Sequence, residues 1–281
     1  MERRNLLLVD FNNLLYRSTF AHQELSHEGT FTGGIYGVLD MVSAAVNRYK
    51  IDRLVVCCDS KPYFRALMYP DYKSDRKPEQ DEDKLKMLSI TRKQMRKFFK
   101  TFKIPVCEVA GYEADDFIGK WCLSKNSRDK FGHIFIMSND TDFYQLLTGR
   151  VFLIKTGGLF GRNDFLKQYP EIRPYQWPRC IALKGSHNGV AGIKGVGDVT
   201  AYKVVAAGIT DKEIWVKWRW RARTVKLRTQ LATFPFPLAE EPPLAHSKKI
   251  KYNAAMMEEV CNEYGIRFVN SIHTAFMRLG A

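Results

Sequence analysis

The stretch Leu6-Leu7-Leu8-Val9-Asp10 decides the fold, because it is a short, continuous apolar run that ends on a carboxylate. Such a run is typical of a strand that is buried on both faces of a parallel sheet. Three further apolar runs follow at residues 54–58, 134–137 and 151–154. Between the first two runs, apolar side chains recur at helical spacing from Gly33 to Tyr49. Strands that alternate with helices predict an α/β protein with a mostly parallel central sheet flanked by helices.

Aspartates follow three of these apolar runs. Asp10 ends the first run, Asp59 follows the second, and Asp140 and Asp142 follow the third. The carboxyl ends of parallel strands share one edge of a sheet, and ligands bind at that edge. Any one of these acids would fit an ordinary turn, but three strand ends of the same kind favour a shared site.

A second acidic group, Glu113-Ala114-Asp115-Asp116, lies elsewhere in the chain. If a helix starts here, Glu113 and Asp116 share a face and Asp115 points about 100° away. A capped helix start with solvated acids is the simpler interpretation, since a helix N-terminus favours acids. Seven carboxylates in one crevice would instead require a cation, and oxygen ligands without His or Cys select Mg²⁺ or Mn²⁺. The predicted metal ligands are Asp10, Asp59, Glu113, Asp115, Asp116, Asp140 and Asp142.

The composition indicates a polyanionic partner. The 281 residues allow one large domain or a domain with an appendage, and 44 Lys and Arg against 30 Asp and Glu give a formal charge of +14. This surplus predicts binding to nucleic acid or to an acidic membrane face. The six cysteines show no zinc or disulfide spacing, and no apolar run is long enough for a signal peptide or a membrane span. We therefore expect a cytoplasmic protein without a membrane partner.

Residues 61–103 form a basic segment, and residues 84–103 within it have the pattern of an amphipathic helix. One interpretation is an ordinary helix with a solvated basic face. The other is a surface that guides a nucleic-acid strand, in which cations contact phosphates and Tyr72 stacks on a base. The cations that we assign to this surface are Arg65, Lys77, Arg92, Lys93 and Arg96.

Four motifs in residues 5–155 resemble, in order and spacing, those of the phage and bacterial 5′ nuclease family of flap endonucleases and 5′→3′ exonucleases. They are Leu8-Val9-Asp10 with Asn12-Asn13-Leu14, Asp59 with Phe64-Arg65 and Tyr72-Lys73-x-x-Arg76, Gly111-x-Glu113-Ala114-Asp115-Asp116, and Ser138-x-Asp140-x-Asp142 with Gln145-Leu146-Leu147. The resemblance implies a PIN-like nuclease domain at 1–172, with an arch or clamp at 61–103. It also implies metal-dependent hydrolysis of phosphodiesters near 5′ ends, in which Lys73 and Arg76 steady the scissile phosphate.

A fifth block resembles the helix–three-turn–helix DNA-binding element of the family, here near 184–206 in a helical region at 173–281. Its glycines would let backbone amides approach a phosphate, and in the family this turn often also holds K⁺. The residues that we assign to DNA binding here are Gly192, Lys194, Gly195, Gly197, Thr200 and Lys203. Just before it, the family usually has two aspartates that complete a second metal site, whereas Lys184-Gly185-Ser186-His187-Asn188-Gly189 has no carboxylate. We therefore expect one well-formed metal site and one weak site.

Two alternative functions remain open, namely a structure-specific DNA-binding protein with weakened catalysis and a PIN-like ribonuclease. The expected partners are flapped, nicked or 5′-ended DNA, RNA–DNA hybrids and replication proteins, with the chain itself a monomer. In the C-terminal region, Thr210 and Glu213 form a capping pattern that predicts a helix from Asp211, although the alternating basic residues at 217–223 also fit a strand. Residues 234–243 contain four prolines and predict an extended loop.

Overall fold

The structure, a computed structural model, describes residues 3–73, 81–186, 190, 192–237 and 242–281. The strands in these residues are β1 (Arg4–Asp10), β2 (Ser26–His27), β3 (Thr30–Phe31), β4 (Arg53–Cys57), β5 (Val106–Cys107), β6 (Phe131–Met137), β7 (Val151–Lys155) and β8 (Gly158–Phe160). The helices are α1 (Phe11–Ala21), α2 (Gly33–Tyr49), α3 (Phe64–Met68), α4 (Glu82–Thr101), α5 (Ala114–Leu123), α6 (Lys125–Lys130), α7 (Arg162–Gln168), α8 (Trp177–Lys184), α9 (Asp198–Ala206), α10 (Asp211–Trp218), α11 (Ala222–Ala232), α12 (Ala254–Glu263) and α13 (Val269–Gly280). Short 3₁₀ helices span Thr141–Leu146 and Pro174–Gln176.

Within these residues, six strands form one sheet in the order β5-β4-β1-β6-β7-β8. The pairs are parallel except for β7 and β8, which are antiparallel. Because β1 pairs with both β4 and β6, the carboxyl ends of these three strands are neighbours at one edge. The predicted mostly parallel α/β sheet is confirmed.

Both faces of the sheet are buried, as the continuous apolar runs predict. Successive side chains of a strand alternate between faces, so Leu6 and Leu8 join one core cluster while Leu7 and Val9 join another. The first cluster includes residues of α5, α8 and α9, and the second includes residues of α1, α2, α4 and α13. The two layers of helices hold the sheet between them and therefore position the residues that follow each strand.

Each of the four apolar runs is a strand in the structure, and the predicted helix at 33–49 is α2. The basic helix predicted at 84–103 is α4, which begins two residues earlier because Asp81 accepts hydrogen bonds from the backbone of Asp83 and Lys84. The short strands β2, β3, β5 and β8 were not predicted.

The C-terminal region is helical, as expected. The helix predicted from Asp211 is α10, where Thr210 Oγ1 caps the backbone of Glu213, and residues 217–223 form no strand. The described part of the proline-rich stretch 234–243 has neither helix nor strand. Among the described residues, no helix is both long and apolar enough to cross a membrane. The domain boundary at 172 remains a prediction.

Candidate active site

A cleft of about 380 Å³ opens at the carboxyl edge of the sheet, which we call the acidic cleft. Four aspartates line it: Asp10 at the end of β1, Asp59 after β4, Asp140 after β6, and Asp115 in the first turn of α5. The other lining residues are Asn12, Asn13, Tyr16, Arg17 and Lys73. The convergence of acids from three strand ends and one helix start is the arrangement that the sequence predicts.

Hydrogen bonds fix three of these aspartates at helix starts. Asp10 accepts from the backbone N–H of Asn13 at 3.3 Å and from Ser138 Oγ at 2.9 Å. Asp59 Oδ1 accepts from the backbone N–H of Ala114 at 2.7 Å, and its Oδ2 accepts from Asn12 Nδ2 at 2.7 Å. Asp140 accepts from the backbone of the second residue after it at 2.8 Å. Since each helix start donates N–H groups and favours negative charge, the local backbone holds these carboxylates toward the cleft.

The acidic cleft crowds negative charge into a small volume. Burial, followed by the charge of Asp59, raises the pKa of Asp10 to about 7. Burial, followed by the charges of Asp10 and Asp140, also raises the pKa of Asp115 well above its ordinary value. Like charges that crowd together oppose ionisation, so a cation in this cleft would return both groups to their charged forms.

The donor set fits a hydrated Mg²⁺ ion rather than a metal enclosed by protein. In the part of the chain that the structure describes, no group of three Asp, Glu, His or Cys side chains converges on one metal position. The carboxylates instead surround the cleft. Mg²⁺ usually keeps several waters and binds through one or two carboxylates together with substrate phosphates. The all-oxygen donors and the size of the cleft are consistent with that mode.

The structure differs from the expectation for Glu113 and Asp116, which do not line the acidic cleft. Arg65 Nη1 donates to Glu113 Oε2 and to Asp116 Oδ2, both at 2.8 Å, and Nη2 donates to Asp116 Oδ1 at 2.7 Å. All three side chains are buried. The assignment of Arg65 to DNA binding is therefore corrected, because its guanidinium is enclosed by protein.

Lys73 lies in the acidic cleft, whereas Tyr72 does not. The ammonium of Lys73 is paired with Glu113 Oε1 and lies 5.0 Å from the ring centre of Tyr63. The ring of Tyr72 is only 6% exposed, and its hydroxyl donates to Glu113 Oε2 at 3.0 Å. This burial corrects the expectation that Tyr72 stacks on a base. The predicted Arg76 and Lys77 lie outside the described residues.

Tyr16 and Arg17 were not predicted, although both line the acidic cleft. Tyr16 is 51% exposed, and its ring packs edge-on against Phe20. The sequence signal that could have identified them is helical spacing. Tyr16 and Arg17 follow Asp10 by six and seven residues, which is about two helical turns along α1. Tyr16, rather than Tyr72, is therefore the accessible aromatic ring in this cleft among the described residues.

Asp142 lies in a second cleft of about 620 Å³ that shares Asn13 and Asp140 with the first. The opposite side contains Lys184 and Asp198, whose Nζ and Oδ1 atoms form an ion pair at 2.6 Å. Asp198 is a carboxylate that the sequence analysis did not assign to the site. His187 and Asn188, in the preceding segment that has no carboxylate, lie outside the described residues.

The glycine-rich turn after α8 has two kinds of glycine. A Cβ atom at Gly192 would lie 2.1 Å from the backbone oxygen of Lys184, so Gly192 permits close backbone packing rather than open access for DNA. Gly195, at φ +82°, and Gly197 are exposed, and a Cβ atom added to either would meet no neighbouring atom within 4 Å. Lys194 and Lys203 are also exposed, and Thr200 is half-buried.

The basic face of α4 is accessible. Arg92 and Lys93 are exposed, and Arg96 is half-exposed in a two-pronged ion pair with Glu108 at 2.7 and 2.5 Å. The apolar side of α4, including Phe98 and Phe99, packs into the second core cluster. The basic side chains therefore project from the protein, as both interpretations of this helix require.

Comparisons with known proteins agree with this geometry. The sequence model of a family described as "5′-3′ exonuclease, N-terminal resolvase-like domain" matches residues 5–170. A 5′-3′ exonuclease of Aquifex aeolicus is 30% identical over 220 residues, which cover 76% of this chain and 73% of that protein. DNA polymerase I of Caldicellulosiruptor bescii is 29% identical over 220 residues, and the match spans only a quarter of its length (25%) but 75% of this chain. The 5′-exonuclease of bacteriophage T5, solved with bound divalent zinc, shares the fold with a TM-score of 0.68 and 16% identity, over 99% of this chain and 100% of that one.

Proposed function

Because the chain belongs to the 5′-3′ exonuclease family that shares the N-terminal resolvase-like domain, we propose that it is a divalent-metal-dependent 5′ nuclease. It hydrolyses phosphodiesters near the 5′ ends of flapped or nicked DNA. The observation that carries this proposal is the acidic cleft, in which four aspartates and Lys73 meet at the carboxyl edge of the sheet.

The four aspartates and Lys73 of the acidic cleft have separate roles in this proposal. Asp10, Asp59, Asp115 and Asp140 would hold a hydrated Mg²⁺ or Mn²⁺ ion. When bound, the ion supplies positive charge to a phosphate and lowers the pKa of a water molecule. The ammonium of Lys73 offsets the charge that develops on the scissile phosphate. No Ser, Cys or His nucleophile is needed.

Glu113 and Asp116 act indirectly in this proposal. Glu113 pairs with Lys73 and so holds its ammonium at the cleft. Asp116 accepts from the backbone N–H of Glu113 at 3.0 Å, which orders the start of α5 next to Asp115. The exposed ring of Tyr16 provides the surface on which a base can stack.

A weaker metal position belongs to the second cleft, where Asp142 and Asp198 contribute carboxylates. The ammonium of Lys184 already neutralises Asp198, so it competes with a cation there. Activity should therefore rise steeply with Mg²⁺ concentration or be higher with Mn²⁺. Removing this competing charge in Lys184→Met should lower the Mg²⁺ concentration needed for half-maximal cleavage, and a higher requirement would contradict the role given to Lys184.

Outside the two clefts, we assign DNA binding to exposed cations and to exposed backbone. The basic face of α4 contacts the strand near the 5′ end, and the turn at Lys194, Gly195 and Gly197 before α9 contacts duplex phosphates and holds K⁺. In the finer parts of the proposal, the chain acts as a monomer, accepts RNA–DNA hybrids and works with replication proteins. It acts in the cytoplasm, which is the cytoplasm of the host if the protein is encoded by a phage.

One assay tests the proposed function against its alternatives. Internally labelled 5′ flap, nicked duplex, single-stranded RNA and RNA–DNA hybrid are each incubated with Mg²⁺ and with EDTA. The proposal expects Mg²⁺-dependent cleavage of the flap and the nicked duplex. Preferential cleavage of single-stranded RNA would favour the ribonuclease, and retention of DNA without cleavage would favour the binding protein.

The matched variants for this assay are Asp140→Asn and Asp129→Asn. Each removes one negative charge, but Asp129 is exposed and lines neither cleft. Asp140→Asn should abolish cleavage while the protein still retains DNA in a gel-shift, and Asp129→Asn should cleave like the unaltered chain. Unchanged cleavage by Asp140→Asn would refute the assignment of the site.

A further inference from the structure

Arg17 lies between the acidic cleft and a further cavity, which differs from the second cleft that contains Asp142. The proposed chemistry does not use Arg17. Its side chain lines both the acidic cleft and a groove of about 460 Å³ between α2 and the turn that joins β7 to β8. We call this groove the basic groove. A ligand at Arg17 would therefore be next to the aspartates without occupying their site.

The guanidinium of Arg17 has no acidic hydrogen-bond partner among the described residues. Its Nη1 atom is buried and has no acceptor within hydrogen-bond distance there, and its Nη2 atom lies 3.7 Å from the sulfur of Met41. Burial lowers the pKa of Arg17, and the charge of Asp10 opposes that shift. Buried donors are almost always paired, because an unpaired polar group costs free energy. The unpaired Nη1 therefore indicates an acceptor that arrives with a ligand.

The basic groove has the charge and shape for an anion. Two further cations, Arg48 and Lys155, line it, against one acid, Asp40. Lys155 is held in place by a 3.0 Å hydrogen bond to the hydroxyl of Tyr144. At the turn, a Cβ atom added to residue 157 or 158 would meet nothing within 4 Å, so the backbone there is open to a ligand.

We propose that Arg17 and the basic groove bind the terminal phosphate of the strand that is cut, a phosphate monoester on the 5′ nucleotide. This inference rests on the proposed nuclease function and adds a subsite to it. A planar guanidinium presents paired donors that match phosphate oxygens. The groove volume lies within the range of about 300–1,000 Å³ that is usual for small-ligand sites. The subsite would make the protein distinguish a 5′-phosphorylated end from a 5′-hydroxyl end.

The test measures binding rather than cleavage. Nicked duplexes that differ only in a 5′-phosphate or a 5′-hydroxyl at the nick are titrated with the full chain in the Asp140→Asn background, so that the strand is not cut. Fluorescence anisotropy gives the two dissociation constants. The phosphorylated end should bind about tenfold more tightly or better, because the phosphate gains a charge-assisted hydrogen bond from the Arg17 guanidinium.

The variant Arg17→Met should abolish this preference, so that the 5′-phosphate and 5′-hydroxyl duplexes bind with the same dissociation constant. Methionine keeps an apolar side chain at this position and removes the charged head, whose Nη2 atom lies 3.7 Å from the sulfur of Met41. Arg48→Gln, at an exposed position in the groove, should reduce the preference by a smaller factor. Arg150→Gln removes one charge from a residue that lines neither cavity and should keep the full preference.

The outcomes separate the subsite from the proposed function. If neither duplex binds, the proposed function itself fails. If both ends bind equally well, or if the preference survives in both Arg17→Met and Arg48→Gln, the subsite is overturned while the nuclease proposal stands. If Arg17→Met unfolds at the same urea concentration as the parent protein, the loss of the preference is not caused by a loss of folding.

Discussion

Replacing Arg65 by glutamine should lower the free energy of unfolding by about 3–5 kcal/mol, because it leaves two buried carboxylates without their cation. The side chains of Arg65 and Glu113 are each 1% exposed, and that of Asp116 is 3% exposed. Arg65 also donates from Nε to the carbonyl of Leu231 at 3.0 Å and from Nη2 to that of Thr233 at 3.3 Å. The substitution therefore removes contacts to α5 and to the end of α11 together.

The size of the expected loss in the free energy of unfolding depends on the partners that Glu113 and Asp116 keep after the substitution. Glu113 keeps Lys73 and the hydroxyl of Tyr72, and Asp116 keeps the backbone N–H groups of Glu113 and Phe236. These partners moderate the penalty, so the expected loss stays within the usual range for breaking a buried pair. Because a domain is typically stable by only about 5–15 kcal/mol, a loss of this size should be large enough to populate unfolded chains on mild warming.

A surface pair offers the matched control. Arg96 forms a comparable two-pronged contact with Glu108, but its side chain is 49% exposed. Exposed ion pairs contribute about 0–1 kcal/mol, so Arg96→Gln should change the free energy of unfolding by no more than that. Both variants are compared with the unaltered chain by urea denaturation, followed by tryptophan fluorescence and circular dichroism. The reasoning fails if Arg65→Gln costs no more than Arg96→Gln.

A charge-removal variant checks the cause. Combining Arg65→Met with Glu113→Gln and Asp116→Asn removes the guanidinium and both of its carboxylate partners, while the ammonium of Lys73, which also pairs with Glu113, stays beside the aspartates of the acidic cleft. Replacing a whole buried ion pair is often neutral, in contrast to removing one partner. The triple variant should therefore be more stable than Arg65→Gln alone, and a further loss of stability would show that packing, rather than charge, dominates at this position.

Three other predictions concern the two clefts and the turn beside them. Tyr16→Ala should weaken DNA binding by about 1–3 kcal/mol if a base stacks there, whereas Tyr175→Ala, at a more exposed tyrosine outside both clefts (75% against 51%), should not; anisotropy titrations compare the two. Gly192→Ala should lower the melting temperature measured by calorimetry, because its Cβ would lie 2.1 Å from the Lys184 backbone oxygen; an unchanged melting temperature would contradict this packing. The pKa of Asp10 is raised from 3.8 to about 7, so its contribution to the free energy of unfolding is full below about pH 4 and is lost as the pH rises through about 7. The metal-free protein should therefore become less stable between about pH 4 and pH 7, and Mg²⁺ should reduce that slope.

The sheet could be predicted because each central strand is an uninterrupted apolar run, and a carboxylate follows three of them. Such runs are local in sequence, and their meaning does not depend on distant residues. The edge strand β5 has only two residues, Val106–Cys107, so it carries no periodic signal. It is a strand because its neighbour β4 supplies hydrogen-bond partners, which is tertiary information.

The aspartates of the acidic cleft could be predicted for the same reason, whereas the partners of Glu113 and Asp116 could not. Arg65 is 48 and 51 residues away from these acids in the chain, and an arginine next to an aromatic residue looks the same in sequence whether it is buried or exposed. The expectation that Tyr72 stacks on a base was wrong for the same reason, and Tyr16 was not predicted. Both are tyrosines near basic residues, and only packing shows that one is enclosed.

The three carboxylates of the motif at residues 113–116 therefore do different work, and the helix geometry explains the division. Glu113 and Asp116 lie on one face of the first turn of α5, where Arg65 binds both, so Asp115 is turned toward the acidic cleft. Asp59 also accepts from the backbone of Ala114, which ties a cleft acid to the same turn. Since Arg65 in turn donates to the carbonyls of Leu231 and Thr233, the position of Asp115 in the acidic cleft depends on the C-terminal helical region. That region is thus part of the scaffold of the acidic cleft, in addition to any contact it makes with DNA.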